Sequence, residues 1–280
     1  MEQKISTLKK KAADVRIDII NAVHNAGSGH PGGSLSAADI ATVLYFDEMN
    51  VDPSKTEMKG RDKCVFSKGH AGPAQLAAMA ERGYFPVEDF TGTLRKMGSI
   101  FQGHPSIKIP GIEMSTGSLG QGFSVAVGMA MANRMDSDPG RIYAVLGDGE
   151  LQEGIIWEAA MAASHYNLDN IVAIIDHNGL QIDGRNDDVM TVNPVGAKFE
   201  SFGWNVISAE GNSVESLCSA FKEARECKGR PTAIVAETVK GKGVSFMEDR
   251  AEWHGKAPND EQYKIAMSEL KEYRKSLDKE

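Results

Sequence analysis

Two short polar clusters stand directly after two runs of apolar residues, Gly147-Asp148-Gly149 after the first and Asp176-His177-Asn178 after the second. The carboxylate of Asp148 and the side-chain carbonyl of Asn178 are hard oxygen ligands, which Mg2+ takes together with the phosphate oxygens of a ligand. The two glycines have no Cβ, so a diphosphate can approach the backbone and the first amides of the following helix. Gly-Asp-Gly alone also occurs in turns without a ligand, but the asparagine after the second run favours a metal–diphosphate site.

Histidines form a second group with possible chemistry. Four of the seven histidines are next to a glycine in predicted loops: His30, His70, His104 and His254. An imidazole can donate to a diphosphate, accept from a sugar hydroxyl or move a proton, and its ordinary pKa is about 6.5. One such histidine would be interpreted as an exposed loop residue, whereas four with the same pattern favour a site. His24 and His165 fall on predicted helices and are interpreted as structural, and the role of His177 stays open.

The order of the elements explains how the two polar clusters can meet. The apolar runs 142–146 and 171–175 are continuous rather than alternating, which is typical of strands buried on both faces of a parallel sheet. Residues 155–166 between them are long enough for a crossover helix. In a right-handed β-α-β unit both clusters reach the carboxyl edge of the sheet, where open α/β folds bind ligands. The sequence therefore predicts an α/β fold, a parallel sheet flanked by helices, with its chemistry at that edge.

Apolar spacing and turn residues predict the remaining elements. They are an amphipathic helix from Ile5 to Val23, a helix capped by Ser34, a strand at 64–66, a helix at 74–82, a slim helix of small residues at 120–132, strands at 204–208 and 233–239, a helix at 214–224 and a charged C-terminal helix at about 259–280. Residues 85–117 are predicted to form a long connection, of the kind that often carries function. Because there is no internal repeat and no clear linker, we expect a single domain over residues 1–280.

Composition excludes some classes of partner. The 280-residue chain has 41% hydrophobic and 25% charged residues, which is ordinary for a globular protein. Its net charge of −8 gives no electrostatic basis for binding nucleic acid, although a local cationic pocket can still bind a sugar phosphate. No apolar run approaches the roughly 20 residues of a membrane span, and no early segment has the pattern of a signal peptide. Three cysteines leave one unpaired. We therefore expect a cytoplasmic protein with no nucleic acid and no membrane partner.

The two polar clusters resemble the thiamine diphosphate signature, in which Gly-Asp-Gly is followed about thirty residues later by an asparagine. Further motifs follow the order seen in transketolases and extend from about residue 24 to residue 258. These motifs are Gly29-His30-Pro31-Gly32, Ser67-Lys68-Gly69-His70, Phe101-Gln102-Gly103-His104-Pro105, the segment 116–122, the segment 149–154 and Trp253-His254-Gly255. The chain is similar to the diphosphate-binding half of a transketolase standing alone, which implies a thiamine diphosphate-binding fold.

The resemblance to transketolases implies roles for the histidines and for a glycine-rich segment. His30 and His104 would contact sugar hydroxyls close to the reacting carbon. His70 would lie beside the diphosphate, and His254 would reach both the diphosphate and the substrate. The residues that would contact the thiamine body are Gly117, Ser118 and Leu119. Ser118 stands where the family often has proline, and this departure loosens the local backbone.

The same resemblance implies a metal site and a carboxylate at a subunit contact. Asp148, Asn178 and the backbone oxygen of Leu180 would hold Mg2+, or Ca2+ or Mn2+ in its place, while the amide of Gly149 would touch phosphate. Glu153 would act in catalysis and cofactor binding through a carboxylate network at the subunit contact. Otherwise Glu153 would be an ordinary acid in the first turn of a helix, favoured by the helix dipole.

For the reaction, the resemblance implies a transketolase, which moves a two-carbon glycolaldehyde unit from a ketose phosphate to an aldose phosphate in the pentose phosphate pathway. The protein would position sugar hydroxyls, move protons and exclude water around the cofactor. In transketolases the glutamate that activates the cofactor lies on a second, pyrimidine-binding domain, and only about forty residues follow the last predicted strand here. We therefore expect the partner to be a separate transketolase C-terminal (pyrimidine-binding) subunit, in a two-plus-two heterotetramer.

Other enzymes are alternatives. Within the same superfamily they are a 1-deoxyxylulose-phosphate synthase, a specialised sugar transketolase and a keto-acid dehydrogenase subunit. The His-Pro pairs at His30 and His104 suit sugar hydroxyls and favour a ketolase. A nicotinamide dehydrogenase is disfavoured because the spacing from Gly147 to Gly154 does not match Gly-x-Gly-x-x-Gly, and Asp148 would repel an uncompensated pyrophosphate. An inactive scaffolding homologue is disfavoured by the retained histidines and oxygen ligands.

Overall fold

A five-stranded parallel sheet organises the computed structural model, which describes residues 2–279. Its strands are β1 (Lys63–Phe66), β2 (Ile142–Gly147), β3 (Ile171–His177), β6 (Asn205–Glu210) and β7 (Thr232–Glu237), in the order β1-β2-β3-β7-β6. A separate antiparallel hairpin consists of β4 (Leu180–Gln181) and β5 (Gly184–Arg185). In the sheet Gly147 lies opposite Asp176. Because the five strands are parallel, their carboxyl ends meet at one edge.

Helices cover both faces of this sheet. They are α1 (Glu2–Ala26), α2 (Pro31–Ser36), α3 (Ala38–Val43), α4 (Gly72–Arg82), α5 (Val87–Thr93), α6 (Gln121–Met135), α7 (Gly154–His165), α8 (Asn186–Val189), α9 (Val195–Ser201), α10 (Val214–Glu226) and α11 (Asp260–Ser276). Helix α4 has Pro73 in its first turn and is followed by Gly83, whose φ of +96° suits a left-handed C-cap. Helix α11 begins with a capping box, in which Asn259 and Gln262 accept from each other's backbone amides.

Two apolar clusters lie on opposite faces of the sheet, and strand β2 contributes alternately to both. Tyr143 and Val145 belong to the cluster that includes residues of α1, α3, α4, α10 and α11. Ala144 and Leu146 belong to the cluster that includes residues of α6, α7 and α9. A strand that buries both faces has no polar side, which explains why its sequence is a continuous apolar run. The sheet is therefore a rigid base for the loops at its carboxyl edge.

The structure confirms the predicted fold class and corrects several local predictions. Ser34 does not cap a helix, because α2 already begins at Pro31 and the Ser34 hydroxyl donates to the carbonyl of His30 at 2.7 Å. The connection predicted at 85–117 contains a short helix, α5. The C-terminal helix covers Asp260–Ser276 rather than 259–280, and residue 280 lies outside the described residues. Within residues 2–279, no helix is both long and apolar enough to cross a membrane.

Candidate active site at the carboxyl edge of the sheet

A cavity of about 330 Å3 is formed by the loops that follow β1, β2, β3 and β7 and by the glycine-rich segment before α6. Most of the sequence-predicted site residues line it: His30, His70, Gly117, Leu119, Asp148, Gly149, Glu153, Asn178, Leu180 and His254. Two predicted residues do not line it. Ser118 is exposed outside the cavity, and the ring of His104 lies 5.8 Å from the ring of His30. The edge of the sheet thus brings together side chains that are far apart in the sequence.

The four glycine-flanked histidines form one cluster. The ring of His30 lies 5.6 Å from the ring of His70, 5.6 Å from that of His254 and 5.8 Å from that of His104, while His70 and His254 are 4.8 Å apart. The pKa values of all four rings are lowered, and burial is the largest cause. The pKa is about 4 for His30 and about 3 for His254. Nearby cations lower them further. At neutral pH each ring is therefore uncharged and has one donor and one acceptor nitrogen.

Two of these rings have a nitrogen atom without a hydrogen-bond partner in the described part of the chain. The Nδ1 atoms of His30 and His254 are buried and have no hydrogen-bond partner among residues 2–279. A buried polar nitrogen without a partner costs free energy, so such groups are usually satisfied by water or a ligand. The cluster thus keeps hydrogen-bonding capacity available beside the cavity.

The predicted metal ligands lie together on the loops after β2 and β3. The carboxylate of Asp148 is almost fully buried and accepts from the amides of Gly149, at 2.8 Å, and Gly179, at 2.5 Å. Burial, followed by the charge of Asp176, raises the pKa of Asp148. The side-chain oxygen of Asn178 accepts from the amide of Leu180 at 3.2 Å. Each oxygen has a further lone pair, so the carboxylate and the amide can still bind a cation.

This donor set fits a hard divalent cation that also binds phosphate. Nowhere in residues 2–279 do three or more His, Cys, Asp or Glu side chains form a group that could hold a metal ion. The predicted set is of a different type, because it combines one carboxylate, one amide oxygen and one backbone carbonyl. Mg2+ commonly takes one or two carboxylates and completes its shell with waters and substrate phosphates. The chemistry of the donors therefore agrees with a magnesium–diphosphate site.

Two buried lysines, which the sequence analysis did not single out, bring positive groups to the wall of the cavity. Lys68 is 1% exposed and forms an ion pair with Asp176. Lys240 is 2% exposed and donates to the carbonyl of Leu180 at 3.2 Å. Burial, followed by the charge of Lys68, lowers the pKa of Lys240 to about 8. Two ammonium groups beside the cavity are well suited to a diphosphate.

A signal for both lysines was present in the sequence. Lys68 lies in the motif Ser67-Lys68-Gly69-His70, and Lys240 begins the Gly-rich segment Lys240-Gly241-Lys242-Gly243, which starts three residues after the end of β7. The second segment reaches the site because the amide of Gly241 donates to the carbonyl of Gly32 at 2.9 Å. A lysine beside glycine at the carboxyl end of a parallel strand is a reasonable signal for phosphate binding.

Glu150 holds the loops of the cavity in place. Its carboxylate is buried and accepts from the hydroxyl of Ser67 at 2.5 Å and from the amides of Gly120, at 2.8 Å, and Gly147, at 3.0 Å. These three donors belong to the loop after β1, to the last residue of β2 and to the segment before α6. Glu153, in contrast, is exposed at the rim of the cavity, where it immediately precedes α7.

Glycines allow the loops to approach one another and a ligand. A Cβ at Gly69 would lie 2.6 Å from the amide nitrogen of Gly117, and a Cβ at Gly117 would lie 3.0 Å from Cδ2 of His104. Gly117 also has a φ of +143°, which side-chain-bearing residues rarely adopt. At Gly149 a Cβ would lie 3.2 Å from Cβ of Gln181. The backbone at this edge is therefore bare where a diphosphate would lie.

Comparison with known proteins gives a consistent family. The family model for the transketolase thiamine diphosphate-binding domain matches residues 7–271. The chain is 43% identical over 277 residues to one of the subunits of the apulose-4-phosphate transketolase of Phocaeicola vulgatus, covering 99% of this chain and 98% of the relative. It is also 43% identical over 270 residues to the 6-deoxy-6-sulfo-D-fructose transketolase subunit SqwG of a Clostridium species, covering 96% of this chain and 98% of that one.

Longer transketolases match only in part. Human transketolase is 43% identical over 259 residues, which cover 91% of this chain and 40% of the human protein. The solved structure of Pichia stipitis transketolase with sedoheptulose 7-phosphate superposes with a TM-score of 0.86 at 29% identity, covering 98% of this chain and 45% of that chain. This chain therefore spans less than half the length of those two proteins.

Proposed function

The chain belongs to the transketolase family, in its thiamine diphosphate-binding domain, and we propose that it works as the N-terminal subunit of a two-chain transketolase. In this proposal it transfers a two-carbon glycolaldehyde unit from a ketose to an aldose. The observation that carries the proposal is the cavity at the carboxyl edge, where Asp148 and Asn178, two buried lysines and the histidine cluster lie together. A metal-bound diphosphate and a polyhydroxylated substrate need this combination.

The diphosphate part of the cofactor would be held by charge and by bare backbone. Asp148, Asn178 and the carbonyl of Leu180 would bind Mg2+, or Ca2+ or Mn2+ in its place. Lys68 and Lys240 would neutralise phosphate oxygens, and the loop at Gly149 admits them closely because no Cβ is present. The diphosphate and Mg2+ would thus meet side chains that the fold already holds in place. Binding would therefore need little reorganisation of the protein.

The protein's own contribution to the reaction would be hydrogen bonding and proton movement. When bound, thiamine diphosphate supplies a nucleophilic carbon and an electron sink for carbon–carbon bond cleavage. The neutral rings of His30, His104 and His254 can each accept a proton from a sugar hydroxyl at one nitrogen and donate at the other. His70 would contact the diphosphate, and Gly117, Ser118 and Leu119 would contact the thiamine body.

The sugar phosphate that serves as donor is a separate question from the reaction type. One relative is named for apulose 4-phosphate and another for 6-deoxy-6-sulfo-D-fructose. These names favour a specialised sugar transketolase as the second candidate beside an enzyme of the pentose phosphate pathway. Both candidates use the same cavity and differ in the groups that hold the far end of the sugar.

The partner would be the C-terminal, pyrimidine-binding subunit of a split transketolase. Three relatives that match nearly the whole of this chain are named as transketolase subunits. The exposed face of α6 and α7 carries the apolar residues Val125, 38% exposed, and Met161, 56% exposed, and α7 begins directly after Glu153 at the cavity rim. We assign this face to the contact between subunits, in which Glu153 would join a carboxylate network and two copies of each chain would combine. The cytoplasmic location stays a prediction, supported by three free thiols.

The test is reconstitution. The chain is purified alone and together with the C-terminal subunit, then supplied with thiamine diphosphate, Mg2+ and ribose 5-phosphate. Xylulose 5-phosphate, apulose 4-phosphate, 6-deoxy-6-sulfo-D-fructose and pyruvate serve as separate donors. We expect two-carbon transfer from a ketose only when both chains are present. Full activity of the isolated chain would contradict an active site shared between two chains. Activity with pyruvate as donor, but with none of the ketoses, would favour a synthase of the deoxyxylulose type.

A further inference from the structure

Arg95 connects the two loops that carry His30 and His104. Its Nη1 donates to the hydroxyl of Ser28 at 2.8 Å, two residues before His30. The rest of its guanidinium lies against Gly103, the residue before His104, where a Cβ would be only 2.5 Å from Nε of Arg95. Gly103 also has a φ of +86°, so two independent requirements favour glycine at this position. The side chain of Arg95 therefore bridges the two loops directly.

The backbone of Arg95 has an unusual conformation. Its φ is +58°, in the left-handed region that residues with a Cβ rarely adopt. The amide of Arg95 donates to the carbonyl of Phe101 at 2.7 Å, and the preceding residue, Leu94, is 1% exposed. A residue in this region persists only where its surroundings hold it, and these contacts hold Arg95.

The charge of Arg95 acts on both imidazoles. After burial, Arg95 is the next cause that lowers the pKa of His30, to about 4, and the pKa of His104. The other groups that lower the pKa of His30 are His104 and Lys240, and the rings of His70 and His254 lie within 5.6 Å of its ring. Arg95 is thus a cation that acts on both His30 and His104, two of the three rings expected to contact the sugar.

We propose that Arg95 is a positioning residue for substrate binding, which fixes the loops of His30 and His104 relative to each other. Its positive charge adds to the effect of burial, which is the larger cause of the lowered pKa of both rings. The assignment of these imidazoles to sugar hydroxyls rests on the proposed function. The guanidinium itself lies outside the cavity lining and acts through the two histidines. Its geometric role and its charge can be separated, because a lysine would keep the charge but lacks the planar fork that spans two loops.

The experiment compares Arg95→Lys, Arg95→Met and the neighbouring exposed control Lys96→Met in the assembled two-chain enzyme. The measurements are kcat and KM for the ketose donor against pH, thiamine diphosphate affinity, and titration of His30 and His104 by NMR with labelled histidine. Thiamine diphosphate affinity reports that each variant is folded. The NMR titration needs no turnover, so it decides the charge role even if the enzyme does not transfer a ketol group.

For Arg95→Lys we expect kcat/KM to fall about tenfold, which is the effect of losing one well-placed hydrogen bond. The acid limb of the pH profile of kcat/KM should not move, because the charge is kept. For Arg95→Met we expect the same fall, and both histidines should also titrate closer to pH 6.5, so that the acid limb moves to higher pH. Lys96→Met should behave as the wild type in every measurement. Wild-type histidine titration in Arg95→Met would overturn the charge role, and wild-type kcat/KM in both Arg95 variants would overturn the positioning role.

Discussion

The ammonium group of Lys68 forms an ion pair with the carboxylate of Asp176 in the interior of the protein, beside the cavity, and both side chains are almost fully buried. Asp176 also accepts from the hydroxyls of Ser36, at 2.6 Å, and Thr238. Burial raises the pKa of Asp176, but the charge of Lys68 and these hydrogen bonds outweigh it, so the net pKa is lowered. The carboxylate thus holds Lys68 in place without leaving either charge unpaired.

This pair predicts a large effect of a small substitution. In Asp176→Asn, the buried ammonium group of Lys68 loses its ion-pair partner, and breaking a buried pair in this way typically costs about 3–5 kcal/mol. We expect a correspondingly lower free energy of unfolding in urea. The matched control is Asp249→Asn, which removes the exposed pair of Asp249 with Arg185 and should cost no more than about 1 kcal/mol. Equal stability of Asp176→Asn and the control would show that the buried pair is not needed.

Cofactor binding should depend on the oxygen ligands. In the two-chain complex, we expect Asp148→Asn and Asn178→Ala each to weaken the affinity for thiamine diphosphate with Mg2+ by about 10- to 100-fold, because each loses a contact to a charged group. Calorimetric titration measures the change, and removal of Mg2+ with a chelator should weaken the wild type in the same direction. Asp188→Asn, on the exposed helix α8, should bind as the wild type does. If neither ligand variant changed the affinity, the metal–diphosphate assignment would be wrong.

The histidine cluster predicts an acid-dependent loss of stability. In the unfolded chain a histidine titrates near pH 6.5, whereas the folded pKa values are lower, about 4 for His30 and about 3 for His254. Between these values the unfolded chain binds protons that the folded chain does not, so the free energy of unfolding falls as pH falls below about 6.5. In His254→Gln this fall should be smaller than in the wild type, as measured by urea unfolding between pH 7.5 and pH 4.5.

The control for this pH experiment is His165→Gln, because His165 is exposed at the end of α7, outside the cluster. Other buried groups also titrate, so the decisive quantity is the difference between each variant and the wild type at every pH. We expect His165→Gln to show the full acid loss. An identical acid loss in His254→Gln would contradict the burial of a neutral ring at that position.

Association of the two chains should depend on the exposed face of α6 and α7 that carries Val125 and Met161. Met161→Lys places a charge on that face, and burying a charge in an interface without a partner is unfavourable. We expect the variant to remain folded by circular dichroism but to lose association with the C-terminal subunit in light-scattering chromatography. Met97→Lys changes another exposed methionine, in the connection after α5, and should assemble normally. Wild-type assembly of Met161→Lys would place the partner on another face.

The sequence by itself determined the main strands and helices and the edge of the sheet at which the site lies. The apolar runs of β2 and β3 are local signals, and the fixed hand of the β-α-β unit brings their ends to one side of the sheet. Asp148 and Asn178 each directly follow one of these strands. Their proximity could therefore be predicted from the sequence alone. The glycine-flanked histidines could be proposed as a group, but their contacts with one another could not be predicted, because they lie on loops without a fixed direction.

The tertiary structure decided which charges are buried and what holds the loops. Lys68 and Asp176 are 108 residues apart in the chain, and no local pattern shows that they meet. Lys240, Glu150 and Arg95 likewise acquire their roles through contacts between distant loops. Helix caps and strand ends depend on nearest neighbours and can be predicted, although Ser34 shows that even these can fail. The electrostatics of a cavity depend on desolvation by the whole fold, and only packing determines which groups are removed from water.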